Sequence, residues 1–275
     1  MSYDLKDLIV GGTKYVSGFV NEDDDYVISA SMVANDPLQN YLAIVHGKGT
    51  ETEITDATLG SVFHLGMEQL VKDKMKEDTV PSQIYGAEVA MHHRLENGWI
   101  LSGTADLIVE SSKNNYEIHD YKLTKKYTRK MTEKDIHTSG YTKQLHVLDA
   151  LFRRDTTLTR SMIEGDIELH CDFFLKDSVA VNFEPVFQPL IIPNKVGTEE
   201  MNSTDVLFAE VVEITNSLQS YLESGTIPPR CQDRWPRNVK GNIISSRCEF
   251  YCSHKTVCPH YNPDPRKVVD HLANW

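Results

Sequence analysis

The chain has 275 residues, of which 40% are hydrophobic and 25% are charged, and its formal net charge is −12. This composition is typical of a globular protein with a sizeable core, and it excludes the low hydrophobicity of a disordered chain. The sequence contains no run of 18 apolar residues and does not start like a signal peptide. We therefore expect a cytoplasmic protein with no membrane partner. The acidic balance also argues against a surface coated with phosphate-binding lysines and arginines.

The first clear element is an amphipathic helix over about residues 58–76. Its apolar side chains recur at spacings of three and four residues, as one buried face of a helix requires. Gly60, His64 and Glu68 lie four residues apart along the flank of that face. By itself, a histidine four residues from a glutamate is typical of a pair on a helix surface.

Three predicted strands follow and form a meander. The first covers about residues 89–95, and the turn Glu96-Asn97-Gly98 joins it to a strand that starts at Trp99. Turn-forming residues from Ser111 to Asn115 separate this strand from the third one, over residues 116–123. The second and third strands are thus a predicted β-hairpin.

Two aspartates and a lysine are predicted to converge on this hairpin. Because side chains alternate along a strand, Asp120 and Lys122 share one face, and Asp106 lies on the neighbouring strand within cross-strand reach. Carboxylates are the ligands that Mg²⁺ and Mn²⁺ prefer, and a lysine beside them can activate water and stabilise negative charge. The set fits metal-dependent phosphodiester hydrolysis, although the same residue types also occur on solvated sheet faces. Glu88, on the preceding strand, is an optional further acid.

The segment after the hairpin is the most basic part of the chain, because six lysines and arginines between Lys122 and Asp135 face only two acids. A helical stripe then begins at Tyr141. Interspersed strands and helices predict a mixed sheet with helices packed on it. The later predicted elements are strands over about residues 167–175 and 186–192, and a capped helix over about 204–223 that stops at Gly225.

Four of the five cysteines lie in the last 45 residues, at Cys231, Cys248, Cys252 and Cys258. Disulfides are rare in a reducing compartment, so this clustering indicates a metal. Four thiolates can close a tetrahedral zinc site or hold an iron–sulfur cluster. Arginines and lysines surround these cysteines, which makes phosphate contact a second role for the segment.

The succession of these motifs resembles the RecB-like exonuclease branch of the PD-(D/E)XK nuclease superfamily, over roughly residues 28–153. The matching motifs are Gly60 to His64, Gly103 to Asp106 and Asp120 to Lys122. The resemblance implies an α/β fold of the restriction-endonuclease-like kind, with a mixed central sheet flanked by helices. The sequence also predicts a separate C-terminal module from Pro228 onward, so we expect two domains. These are a nuclease core with an N-terminal helical segment over 1–227, and a cysteine-rich, metal-stapled module over 228–275 that packs on it.

The same resemblance assigns roles to individual residues. It implies that His64, Asp106, Asp120 and the backbone carbonyl of Tyr121 bind Mg²⁺ or Mn²⁺, and that Lys122 is the catalytic lysine. The family's next motif usually places an aromatic residue four positions after a glutamine, whereas here Leu148 follows Gln144. Tyr141, three positions before the glutamine on the same helical face, takes that place, so that Gln144 and Tyr141 complete the implied site.

Similar nucleases often end in three cysteines that bind an iron–sulfur cluster with a fourth cysteine near the N-terminus. Here no cysteine precedes Cys171, so Cys231 becomes the fourth ligand. This departure leaves zinc as the alternative, and His254 or His260 could replace a cysteine in a zinc site.

The resemblance implies a metal-dependent DNA nuclease, with an exonuclease favoured over an endonuclease, acting in DNA replication, recombination or repair. Its partners would be DNA and replication or recombination proteins. Its size and layout resemble those of phage-type single-domain nucleases, which act in the host cytoplasm. The alternative is a non-catalytic module that keeps the nuclease fold and binds nucleic acid or protein.

Overall fold

The structure is a computed structural model that describes residues 25–46, 51–76, 84–154, 163, 165–177, 186–193, 195–196, 199–200, 204–232, 236–239, 242–245, 252 and 254–261. The described residues divide into two compact units. One is formed by residues of 1–35 and 56–216, and the other by residues of 36–55 and 217–275. Within the described ranges, no helix is long and apolar enough to cross a membrane.

A six-stranded mixed sheet is the centre of the first unit. Its strands are β1 (Val27–Ser29), β2 (Ile84–Arg94), β3 (Ile100–Ser112), β4 (Asn115–Thr124), β5 (Ile167–Leu175) and β6 (Phe187–Ile192). The strand order is β1-β3-β4-β5-β6, and β2 pairs with β3 from Ile100 to Val109. The pairs β1/β3 and β4/β5 are parallel, and the others are antiparallel. The predicted mixed sheet is thereby confirmed.

Both predicted hairpin turns are present. Gly98, between β2 and β3, has a φ angle of 88°, and Asn114, between β3 and β4, has a φ angle of 65°. Glycine and asparagine are the residues that adopt this left-handed conformation most readily. The ladder between β3 and β4 runs from the turn only to Leu107 and His119, while β4 continues beside β5 to Thr124. The sheet therefore opens between β3 and β4 where the candidate catalytic residues lie.

Helices flank this sheet. In chain order the described helices are α1 (Pro37–His46), which belongs to the second unit, α2 (Glu51–Lys76), α3 (Lys126–Lys134), α4 (Gly140–Arg154) and α5 (Thr204–Ser224). The most deeply buried one follows the basic segment. In α4, the side chains of Leu145, Leu148 and Leu151 are fully buried. A Cβ atom on Gly103 of β3 would lie 2.7 Å from a methyl group of Leu148, so glycine allows this helix to approach the strand.

Two elements begin earlier than the sequence predicts. Helix α2 starts at Glu51 rather than near residue 58, because its apolar periodicity only becomes regular from Leu59. Strand β2 starts at Ile84 rather than near residue 89, and its register with β3 shifts between Ile84 and Gly86. That irregularity breaks the alternation from which a strand is predicted.

Short ladders complete the described structure. Lys195–Val196 (β7) pairs with Glu199–Glu200 (β8) in the first unit. In the second unit, Pro236–Val239 (β9) pairs with Asn242–Ser245 (β10). The predicted C-terminal module falls within this second unit, together with α1. Its boundary at residues 227 and 228, and its docking on the core, stay predictions.

Candidate active site

A histidine and two carboxylates from three different elements meet beside the sheet. His64 Nδ1 of α2 lies 2.8 Å from Asp106 Oδ1 of β3 and 3.9 Å from Glu88 Oε1 of β2. The three residues each offer a ligand atom within 4.8 Å of the others. One imidazole nitrogen and two carboxylate oxygens are a donor set that a divalent cation can use.

Packing between aromatic rings holds the helix so that His64 lies at this position. Phe63, its neighbour in the chain, packs on Phe174 of β5 with ring centroids 4.7 Å apart. Phe174 in turn contacts the ring of Tyr121 at 5.9 Å. The His64 ring itself lies 6.4 Å from the Tyr121 ring. The predicted helix-borne histidine and the strand-borne aspartate are therefore brought together by a small aromatic cluster.

The sequence indicates Glu88 only as an optional further acid, but the structure places it beside His64 and Asp106. It lies between Ala87, which pairs with Leu107, and Val89, which pairs with Ala105, and so stands across the ladder from Asp106. Its φ angle is 50°, a conformation that costs a non-glycine residue roughly 1–3 kcal/mol. Only the register of β2 on β3 reveals this placement. Strain of this kind is concentrated at functional sites.

The electrostatics of Glu88 follow from its surroundings. Burial and the negative charge of Asp106 raise the pKa of the Glu88 carboxyl to about 7. The pKa of His64 is also raised, chiefly by its hydrogen bond to Asp106. Two carboxylates at such short range are a centre of negative potential, which a bound divalent cation would neutralise.

Asp106 also joins this group to β4. Its Oδ2 accepts a hydrogen bond from the backbone N–H of Tyr121 at 2.5 Å, just beyond the end of the β3/β4 ladder. Asp106 is buried, so the bond is shielded from water. The backbone of Tyr121 is thus beside the histidine–carboxylate group, as the resemblance implies. The role of its carbonyl as a metal ligand stays a prediction.

Asp120, Lys122 and Gln144 form a second set of contacts next to the first. Lys122 Nζ lies 2.6 Å from Asp120 Oδ2. Gln144 of α4 bridges the pair, because its Nε2 donates to Asp120 Oδ1 at 3.0 Å and its Oε1 accepts from Lys122 Nζ at 3.2 Å. The Tyr141 ring centroid lies 5.1 Å from Lys122 Nζ, within range of a cation–π interaction. All four residues predicted from the motifs are brought together.

Lys122 is held as a cation by its neighbour. Burial works to lower the pKa of its amine, but the charge of Asp120 and the hydrogen bond to it raise that pKa overall. The charges of Lys122, Asp106 and His64 act on the carboxyl group of Asp120. The Asp120 oxygens nevertheless contact Lys122 and Gln144, whereas the three candidate ligand atoms within 4.8 Å of one another belong to His64, Glu88 and Asp106. The two sets are adjacent and are linked through Asp106 and Tyr121.

The basic segment begins directly after β4 and forms α3. Lys125, Lys130 and Lys134 are exposed, and Tyr127 among them is 66% exposed. Arg129 differs, because its guanidinium pairs with Glu133 at 2.8 Å. This segment places positive charge on the surface a few residues beyond Lys122.

The structure describes only some of the cysteines that are predicted to bind a metal. Cys231, Cys252 and Cys258 are partly buried, whereas Cys248 lies outside the described residues. His260 Nε2 lies 3.2 Å from the carbonyl oxygen of Pro228, and burial lowers the pKa of His254. Whether these residues hold an iron–sulfur cluster or zinc stays a prediction.

Comparisons with known proteins support the fold. No family model matches the chain. No curated protein matches it either. Among solved structures, the chain is similar to one described as "Crystal structure of SSO0001", with 14% sequence identity and a TM-score of 0.53 over 95% of this chain and 98% of the other. The six-stranded mixed sheet flanked by helices is consistent with a restriction-endonuclease-like fold.

Proposed function

We propose that the chain is a metal-dependent deoxyribonuclease that hydrolyses phosphodiester bonds in DNA replication, recombination or repair, with exonuclease action favoured. The observation that carries the proposal is one continuous set of contacts. His64, Glu88 and Asp106 form a ligand group, and Asp106 bonds to Tyr121 beside the Asp120–Lys122 pair. Cation ligands and a lysine whose side chain is only 18% exposed, at one opening of a sheet, suit phosphoryl chemistry better than structural stabilisation, because removing such charges from water is costly.

The residues present fit a hard divalent cation with one nitrogen ligand. His64, Glu88 and Asp106 would hold it, with Asp120 and the Tyr121 carbonyl as the further ligands that the resemblance implies. Such a cation supplies Lewis-acid stabilisation of the phosphoryl oxygens and a more acidic water. Carboxylates suit Mg²⁺ and Mn²⁺ alike, and the imidazole makes Mn²⁺ at least as suitable as Mg²⁺.

Lys122 is the residue we expect to act on the scissile phosphate. Its ammonium group, held on Asp120 by Gln144, can neutralise charge that develops on the phosphoryl oxygens or orient the attacking water. Tyr141 limits the directions in which the amine can move, since its ring covers one side at 5.1 Å. The exposed lysines of α3 are suited to hold the DNA backbone nearby.

The proposal is tested by cleavage of end-labelled linear and circular DNA, single- and double-stranded, with Mn²⁺ or Mg²⁺. We expect Lys122→Ala and Asp120→Asn to lower the rate by roughly 100-fold or more. Lys113→Ala, at the exposed β3/β4 turn, is the matched control and should cleave like wild type. Equal rates in all variants would refute the site. A shift in DNA mobility without shortening would instead favour a non-catalytic DNA-binding module.

A further inference from the structure

A second cluster of histidines and acids lies on β4 and β5, outside the candidate active site. His119 of β4 and His170 of β5 are direct partners in the parallel ladder, and their rings stack at 4.4 Å. Glu117, His119 and His170 each offer a ligand atom within 4.8 Å of the others. His119 alternates with Asp120 along the strand, so the cluster occupies the opposite face from the Asp120 and Lys122 side chains.

A contact with a carboxylate fixes the orientation of the His119 imidazole in the way that is usual for a histidine that binds a metal. His119 Nδ1 lies 2.8 Å from Asp172 Oδ2, which leaves His119 Nε2 directed at Glu117 Oε2, 3.4 Å away. A histidine whose other ring nitrogen is held by a carboxylate is the usual arrangement around protein-bound zinc. His170 Nε2 lies 3.9 Å from the same glutamate oxygen. Two ligands of a tetrahedral zinc ion are about 3.4 Å apart, so modest side-chain rotation suffices.

Unsatisfied polar atoms in this cluster indicate a further ligand. Asp172 is only 3% exposed, and its Oδ1 accepts no hydrogen bond from the residues that the structure describes. His170 Nε2 is buried and lies 2.7 Å from Glu168 Oε1, but without the alignment of a hydrogen bond. Buried polar atoms are normally satisfied by hydrogen bonds or by metal ligation. With neutral imidazoles, the three carboxylates of Glu117, Glu168 and Asp172 also leave the cluster negatively charged.

We propose that Glu117, His119 and His170 form a second metal site, which takes a zinc-class divalent ion and uses Asp172 to orient His119. Two histidines and one glutamate are a known zinc ligand set, with a fourth position for water. The site would fasten β4 to β5 directly behind Asp120, and Asp172 is the ladder partner of Tyr121. Its role is therefore to stiffen the strand that carries the candidate catalytic pair. The site does not depend on the proposed nuclease activity.

The test is a zinc titration of the full-length protein against a chromophoric chelator, with total metal measured by mass spectrometry. The C-terminal cysteines and the candidate active site can also bind zinc, so the informative quantity is the difference between variants. We expect His170→Gln and Glu117→Gln each to lose one zinc equivalent or to bind it at least tenfold more weakly. His137→Gln, at an exposed position outside the cluster, is the control and should match wild type. Identical stoichiometry and affinity in His170→Gln and wild type would overturn the proposal.

A second measurement keeps the test valid if a variant folds poorly. In wild-type protein with ¹⁵N-labelled histidine, zinc should shift the side-chain nitrogen resonances of His119 and His170 and leave His137 unchanged. Unchanged resonances of His119 and His170 at saturating zinc would reject the site, whatever the variants show.

Discussion

The two histidine–carboxylate clusters contain similar residues but are built differently. The His64 cluster takes its residues from α2, β2 and β3, beside the end of the β3/β4 ladder. The Glu117 cluster takes all its residues from the adjacent strands β4 and β5. The first therefore depends on how a helix packs on the sheet, whereas the second depends only on strand register. A site built from several elements can admit a substrate between them, while a site within one ladder is suited to hold strands together.

The largest effect is expected at Asp106, because it serves both as a candidate ligand and as a partner of β4. Asp106→Asn and Asp106→Ala should both lower DNA cleavage by roughly 100-fold or more. Asparagine keeps an oxygen for the Tyr121 N–H, whereas alanine leaves that buried donor unpaired. Alanine should therefore lower the free energy of unfolding by about 1–3 kcal/mol more than asparagine. Denaturant unfolding measures this difference, and equal stabilities would show that the Asp106–Tyr121 bond does not link the strands.

A smaller effect is expected at Gln144, which touches both members of the charged pair. Gln144→Ala removes hydrogen bonds to Asp120 and Lys122, and bonds to charged groups contribute about 1.5–3 kcal/mol. We expect kcat to fall roughly tenfold or more with little change in KM, since the glutamine positions Lys122 rather than DNA. Steady-state kinetics on a labelled oligonucleotide separate the two constants. A rise in KM alone would assign Gln144 to DNA binding instead.

The smallest effect concerns Glu88 and pH. Its pKa is about 7 in the folded protein against a usual value of 4.5, so the folded state binds the extra proton between these pH values. The metal-free protein should therefore lose stability as the pH rises from about 4.5 to 7. We expect this loss of stability to be about 1–2 kcal/mol smaller in Glu88→Gln, which cannot titrate at this position. The difference is modest because the Glu88 side chain is 30% exposed and solvent screens its charge. Unfolding curves at pH 5 and 8 test it, and identical pH dependence in both proteins would contradict the placement of Glu88.

Much of the first cluster could be predicted because its signals are local. Turn residues marked the hairpins, apolar spacing marked α2, and the order of His64, Asp106, Asp120 and Lys122 suggested one site. Glu88 was undervalued because its place opposite Asp106 depends on the β2/β3 register. The contacts of Gln144 with the charged pair could not be foreseen either, since they depend on how closely α4 approaches the sheet.

The Glu117 cluster could not be predicted from the sequence, for a related reason. Its sequence signal is a pair of polar residues two apart on each strand, Glu117 with His119 and His170 with Asp172. Strand alternation places each pair on one face, but the pairs meet only because β4 and β5 are parallel neighbours in a particular register. Partners about 50 residues apart in the chain cannot be matched from spacing alone.

The most direct test of the central claim is cleavage by metal-free wild-type protein as Mn²⁺ is added. The account predicts no shortening of end-labelled DNA without metal, cleavage that rises with Mn²⁺ occupancy, and complete arrest by a chelator. Full Mn²⁺ occupancy of the protein without any shortening of linear or circular DNA, single- or double-stranded, would contradict it.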